Sequence, residues 1–413
     1  MKFNYTHESK CRVCLGDGLH SVLDLGNQPL ANSYTDSKYN TTELFPLQLF
    51  FCTNCDLIQI NCTVNRFLLF RNYLWVTGTS SSARSFSEKF CNLASQKAKL
   101  QRGSFVVEIA TNDGTFLQPF STKGCQTLGI DPAKNISKIS KKKNLEIWED
   151  FWDEETANKL ISVKGKADFI FGRNVVAHVS DLHGFIKGFA LALKDGGTGA
   201  VEFHWSAQIL NGLQYDSIYH EHLCYFGLSS FEYLINLYGL FVYSVHESPI
   251  SGGAIVVYFK KEKNQDINKK EIEIHKDKEE KLGINKLSTW IEFGVRCENH
   301  KEYVRSLMEK NKDKKIIGYG SSARSNTFIN YIKFDTRSIL SIIDNNPYKQ
   351  GKFTPSSKIP IITEEKGFSE QPDAIFNLAW NFKNEIKEAC LRSGFKGDFI
   401  TAFPNKPSIE KII

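Results

Sequence analysis

Residues 104–120 read SFVVEIATNDGTFLQPF, and the fold turns on them. FVVEI is rich in β-branched and aromatic side chains and short enough for a strand buried on both faces, ATNDG is turn chemistry, and TFLQPF begins a helix. Strand, turn and helix in that order open a parallel sheet covered by helices. The alternation continues outward: TLGID (127–131), LEIWEDFW (145–152), ADFIFGRNVVAHV (167–179) and TGAVEFHW (198–205) read as strands two to five. LFVYSVHES (240–248) and GGAIVVYF (252–259) are separated only by PISGG. They must pair antiparallel, since a parallel return needs a crossover of about a dozen residues.

An acidic residue on the strand before a glycine-containing turn, Glu108, and a second at the end of the next strand, Asp131, suit a nucleoside ligand lying across the carboxyl ends of the sheet. Glu108 and Gly114 would hold an amino-acid end, and Asp131 would accept from two ribose hydroxyls. Rossmann dehydrogenases share this geometry, but the turn lacks GxGxxG and so offers no close backbone cradle to a pyrophosphate. S-adenosylmethionine carries no phosphate and is the favoured ligand. Five parallel strands capped by a hairpin is the order of class I methyltransferases.

With 413 residues the chain exceeds one hydrophobic core and predicts roughly two to three domains. The start, MKFNYTHESK, has no apolar leader, and no run approaches the ~18 apolar residues of a membrane span, so a cytoplasmic location is expected. The 52 basic and 46 acidic residues are intermixed, giving +6 without a basic stripe. That pattern argues against nucleic acid and for a small anionic partner. Ten cysteines in such a chain are expected as thiols or metal ligands. CRVC supplies Cys11 and Cys14, and CTNC supplies Cys52 and Cys55, two knuckles whose thiolates can share one tetrahedral zinc at about 2.3 Å. A structural zinc would substitute for the apolar burial that some seventy residues cannot supply. Between the knuckles, LDLGNQPLANSY (23–34) reads as a turn and LQLFFC (47–52) as a strand.

The ordered set CxxC, CxxC, EIATNDGTFL, GIDP, RNVVAHVSDL, YHEHLCYF (219–226), GGAIVVYF, GYGSSARSNT, DNNPYKQGKF and AWNFKNEI resembles the sugar C-methyltransferase family across nearly the whole chain. The resemblance implies three domains: a small N-terminal zinc-binding module (1–68), a class I methyltransferase Rossmann-like domain (69–260) and a second, C-terminal Rossmann-like domain (261–413). It implies S-adenosylmethionine as donor and a nucleotide-linked keto-deoxysugar as substrate, methylated at a ring carbon, most simply C-3, by a monomer or small homo-oligomer. It also places the general base on His222, with Tyr219 and Glu221 positioning the substrate. The chemistry agrees, because a carbon becomes nucleophilic only after losing a proton beside a carbonyl, and imidazole titrates near neutral pH. Tyr219, His178 or Asn174 could donate to the enolate oxygen. Donor binding falls on Glu108, Ala110, Asn112, Gly114, Asp131 and Asn174, and substrate binding on Tyr73, Arg324, Trp380 and Asn381.

Ala110 stands where the family usually has glycine, and Trp75 replaces the second tyrosine of a YxY pattern that begins at Tyr73. If YHEH is extended, His220 and His222 share one strand face, which admits an HxH metal pair; otherwise His220 is a satisfied buried histidine. The charged helical region between KKEKNQDINKKEIEIHKDKEEK (260–281) and MEKNKDKK (308–315) reads as a solvated helix linking the last two domains. In the C-terminal part, GYGSSA could offer N–H groups and a helix N-terminus to a diphosphate, with Arg324 in the first turn and Lys349 and Lys352 following. Transfer to oxygen or nitrogen, and an idle binding homologue marked by Ala110 and Trp75, are the competing readings.

Overall fold

The computed structural model describes residues 4–71, 73–262 and 268–413. The opening stretch does form a strand, Phe105–Ile109, all five of its side chains buried. It lies inside a seven-stranded sheet ordered Phe241–Ser248, Ala254–Lys260, Leu193–His204, Ala167–Arg173, Phe105–Ile109, Gln126–Ile130 and Ile147–Trp148. Only Ala254–Lys260 runs against its neighbours. This is the class I methyltransferase sheet. The hairpin does not simply cap an edge: its second strand sits beside the fifth parallel strand, which leaves Phe241–Ser248 outermost and parallel to the rest. Strand three shrinks to two residues, Ile147–Trp148. One face of the sheet is filled by phenylalanine: Phe169 stacks on Phe171 at 5.3 Å, with Phe90 and Phe120 against them. Such rings bury large apolar areas and interlock edge to face.

The N-terminal module differs from its expected form. The predicted turn after the first knuckle is an eleven-residue strand, Leu19–Pro29, paired antiparallel with Leu44–Cys52 and irregular at two places. The bulge around Leu25 and Gly26 explains why the glycine and asparagine there mimic turn chemistry. Leu44–Cys52 pairs with Ile58–Ile60, and the fourth strand of this sheet is Cys224–Tyr225, the tail of the YHEHLCYF segment. The zinc module and the catalytic unit therefore share a sheet.

The charged run is helical and largely exposed, but it docks through one buried stripe. Its residues 263–267 lie outside the described residues, Lys260 ends the strand Ala254–Lys260, and Lys269–Leu282 forms a helix that buries Ile272, His275 and Glu279. Glu279 accepts hydrogen bonds from Trp205 Nε1 and the Leu228 amide, both at 2.5 Å, so its carboxyl group bolts this helix to the catalytic unit. The next helix, Leu287–Glu309, lies on the zinc-module sheet. A methyl on Gly294 would come 2.1 Å from the Val22 carbonyl oxygen, closer than any side chain permits.

The C-terminal part is a second doubly wound sheet ordered Ile361–Ile362, Ile342–Ile343, Ile316–Tyr319, Ala374–Asn377, Gly397–Thr401 and Ser408–Ile412, parallel except for the last strand. Its glycine turn is closed by its own side chains. The Ser321 amide donates to Asp344 Oδ2, Lys349 Nζ donates to the Ser321 carbonyl, and Ser322 caps the following helix by accepting from the Ser325 amide. The Gly320, Ser321 and Ser322 N–H groups, expected to face a diphosphate, are already paired. Lys349 is buried and Lys352 reaches Asp36 at 3.5 Å. Among the described residues no helix is long and apolar enough to cross a membrane.

Candidate active site

The first parallel strand delivers Glu108 to the carboxyl edge of the sheet, 3% exposed, with Oε2 buried and lacking a partner. Burial pushes its carboxyl well above the usual range, although Arg173 pulls the other way. Asp131 ends the next strand; Oδ2 accepts from the Asn112 amide at 2.7 Å and Oδ1 from the Ala133 amide at 2.8 Å, leaving further lone pairs on both oxygens. The turn between them is left-handed at Ala110 (φ +56°), Asn112 (φ +53°) and Gly114 (φ +78°). Glycine suits position 114 because its φ is left-handed, and a methyl there would come 2.3 Å from Leu145 Cδ1, which would have to move. Asn112 fastens the preceding segment over this turn, accepting from the Thr77 amide and donating to the Trp75 carbonyl. An orphaned buried carboxylate oxygen, an acidic strand end and a tight turn fit an adenosyl amino acid with a charged ammonium group.

Ala110 shows why glycine suits this position: a Cβ in the left-handed region costs roughly 1 kcal/mol. Ala110→Gly is expected to raise the unfolding free energy by about that amount with donor affinity unimpaired, read by urea titration and calorimetry. A loss of stability would show the strain to be absent.

Beside the donor side lies the YHEH segment. It is a turn, not a strand: the His222 amide donates to the Tyr219 carbonyl at 2.8 Å. The two histidines consequently diverge. His220 enters the zinc module, where Nε2 donates to the Pro46 carbonyl at 3.2 Å and the ring meets Phe45 edge-on, so the HxH pair does not form. His222 stays in the catalytic unit. Its Nδ1 lies 3.1 Å from the Ser217 carbonyl, which can only accept, so Nδ1 carries the hydrogen and Nε2 accepts from the Tyr219 hydroxyl at 2.8 Å. Burial, reinforced by His178, His204 and the charge of Arg324, holds His222 well below the ordinary histidine range, and it is neutral at pH 7. The His178 ring stands edge-on to His222 at 4.7 Å, its Nδ1 buried without a partner among the described residues. Burial depresses His178 to about 4.

Glu221 is buried and raised to about 7 by that burial, against the opposing pull of Asn32 and Tyr73. Asn32 Nδ2 reaches its Oε1 at 2.6 Å and the Tyr73 hydroxyl its Oε2 at 3.4 Å. Tyr73 is held in turn by reciprocal bonds between its backbone and the Asn135 side chain. Asn174 (φ +49°) donates from Nδ2 to Glu202 Oε1 at 2.9 Å, so its amide is already engaged at the sheet edge. Trp75 projects outward, 44% exposed.

Arg324 and Trp380 meet the catalytic unit from the C-terminal side. The Arg324 guanidinium forks onto Asp216 through Nε at 3.0 Å and Nη2 at 2.9 Å, and lies 4.7 Å over the Trp380 ring. Trp380 Nε1 also donates to Asp216, at 2.8 Å. Asn381 is exposed next to it. Sequence reasoning missed Asp216, Asn32 and His204, the last buried with Nε2 unpartnered. Asp216 sits three residues before Tyr219 and was legible as an acid beside the motif; Asn32 comes from another module and carried no signal.

Cys11, Cys14, Cys52 and Cys55 converge with all four sulfurs within 4.8 Å of one another. The Cys11–Cys55 and Cys14–Cys52 separations are 3.5 and 3.6 Å. A tetrahedron of thiolates with zinc–sulfur bonds of about 2.3 Å has edges near this size, and the closed set of four leaves the role structural. Cys62, Cys91, Cys224, Cys297 and Cys390 are buried, Cys125 half-buried.

The fold and this site define an S-adenosylmethionine-dependent methyltransferase with a zinc-binding domain. Its parts match three families in sequence: "Putative zinc binding domain" over residues 11–70, "Methyltransferase domain" over 83–245 and "C-methyltransferase C-terminal domain" over 249–404. The chain is 29% identical over 402 residues to C-methyltransferase NovU of Streptomyces niveus, covering 96% of this chain and 95% of that one. Among solved structures, an S-adenosylmethionine-dependent methyltransferase from Clostridium acetobutylicum shares 11% identity over 44% of this chain and 93% of its own, with a TM-score of 0.35. The magnesium protoporphyrin IX methyltransferase of Synechocystis shares 11% over 44% and 84%, also at 0.35.

Proposed function

We propose that this methyltransferase alkylates a ring carbon beside the keto group of a nucleotide-linked deoxysugar, at C-3. S-adenosylmethionine supplies the methyl group; Glu108, Asp131 and the turn through Ala110, Asn112 and Gly114 would hold it, with Asn174 at the same edge. The observation that carries the reading is His222: a neutral imidazole, half-buried, with one nitrogen donating to a carbonyl and the other bearing its lone pair toward Tyr219. Nε2 takes the proton from the carbon next to the carbonyl. The Tyr219 hydroxyl then turns its hydrogen from Nε2 to the enolate oxygen, since burial keeps the phenol protonated. His178 offers a second polar atom to the same ring. Tyr73 and Glu221 position the sugar hydroxyls, while Trp380 and Asn381 border the nucleotide side and Arg324 supports it through Asp216. The experiment is a panel of nucleotide-linked keto-deoxysugars with isotopically labelled donor, and NMR assignment of the product. A methyl on oxygen or nitrogen would reject carbon transfer.

Glu221 adds a pH signature. Two donors face its carboxylate, so the ionised form is the one the site is built around, and activity is expected to rise with pH through about 7. Glu221→Gln should flatten that limb and lower the rate. A pH–rate profile unchanged in the variant would remove Glu221 from the reaction.

A further inference from the structure

Three consecutive residues, Tyr215–Ser217, form a single turn of 3-10 helix just before the YHEH segment, and all are buried. The first two plug into the C-terminal part. The Tyr215 ring lies between Phe403 at 5.1 Å, Tyr331 at 5.3 Å and His300 at 5.4 Å. Its hydroxyl donates to His300 Nδ1 at 2.8 Å, because His300 Nε2 is spent on the Ala402 carbonyl. Asp216, 2% exposed, takes the two-pronged bond from Arg324 and the indole N–H of Trp380. The third residue faces the other way: the Ser217 carbonyl accepts the His222 Nδ1 hydrogen at 3.1 Å and lies 3.4 Å from the Tyr225 hydroxyl.

We propose that Asp216 is a positioning residue for the reaction, through which the C-terminal part sets the tautomer and orientation of His222. The Ser217 carbonyl shares a peptide plane with the Ile218 N–H, which donates to the Tyr215 carbonyl at 3.1 Å and closes the 3-10 turn; three donors on the Asp216 carboxylate hold that turn in place, so the carbonyl stays aimed at Nδ1. An imidazole whose Nδ1 hydrogen is fixed has its lone pair on Nε2, the form a base needs. Loosening the clasp frees the carbonyl and lets the hydrogen exchange between the two nitrogens. The fork matters as well as the charge, since a guanidinium matches both carboxylate oxygens whereas an ammonium is a point donor. This inference rests on His222 acting as base for its catalytic consequence, but not for its structural one.

The test uses the full-length protein with Asp216→Asn and Arg324→Lys, with ring-labelled histidine followed by 15N NMR and deuterium exchange into a nucleotide-linked 4-keto-deoxysugar. The expected result is a His222 signal that moves from a single Nδ1–H tautomer to a mixture, and exchange slowed tenfold or more. Donor affinity by calorimetry should stay within about twofold. If Asp216→Asn does not fold, Arg324→Lys, which keeps the charge, carries the test alone. A His222 tautomer and an exchange rate both unchanged in a folded variant would overturn the proposal. A shifted tautomer with exchange unaffected in His222→Asn would keep the coupling and reject the base.

Discussion

His222→Asn is expected to lower both methyl transfer and solvent deuterium uptake at the substrate carbon by about a thousandfold, within the 10²–10⁴ range for a lost general base. Asparagine retains a group able to donate to the Ser217 carbonyl, so the turn should survive. S-adenosylmethionine binding should be nearly unchanged, because no donor-binding residue named above bonds to His222. The comparison separates the proton step from the methyl step: a variant that still exchanges deuterium but fails to methylate would put His222 on the alkylation side, and unchanged exchange would remove the imidazole from the base role. His178→Asn should have a smaller effect, as its ring meets His222 only through an edge.

The second large effect is expected from the metal. In an isolated small domain the thiolate site contributes on the order of 10 kcal/mol of folding free energy at pH 7, and here that free energy is spent far from the ion. The zinc module contributes Ile58–Ile60 as the neighbour of Cys224–Tyr225, the Pro46 carbonyl to His220 and Asn32 to Glu221. Cys52→Ser, or exhaustive chelation, is therefore expected to abolish methyl transfer and lower the melting temperature together. Metal analysis should give one zinc per chain before treatment. Full activity in metal-free protein would refute the structural role assigned to the four cysteines, and so would a folded protein with well under one zinc.

What the sequence revealed follows how local each cause is. The catalytic strands were legible because both faces are buried and apolar runs carry that information directly, as in FVVEI and AIVVYF. The knuckles were legible because their spacing is itself the ligand geometry. The strand Leu19–Pro29 was not, since its bulges need Gly26 and Asn27, which read locally as a turn. The helix Lys269–Leu282 looked solvated because eleven of its fourteen residues are charged or histidine, and only the fold shows that Glu279 reaches an indole N–H across the interface. In the site, Glu108, Asp131 and the YHEH residues announced themselves by type and position. Their directions did not: the divergence of His220 from His222 depends on a turn hydrogen bond, and the Asp216 clasp depends on partners more than a hundred residues away.

The shared sheet has a consequence for how the protein is made. Ile58–Ile60 leaves the ribosome well before its neighbour Cys224–Tyr225 exists. At roughly 5–20 residues per second the gap lasts on the order of ten to thirty seconds, during which a nascent strand edge has no native partner. Unprotected edges recruit foreign strands, so synthesis stalled between these two points should yield aggregating fragments, and early zinc loading alone would not rescue them.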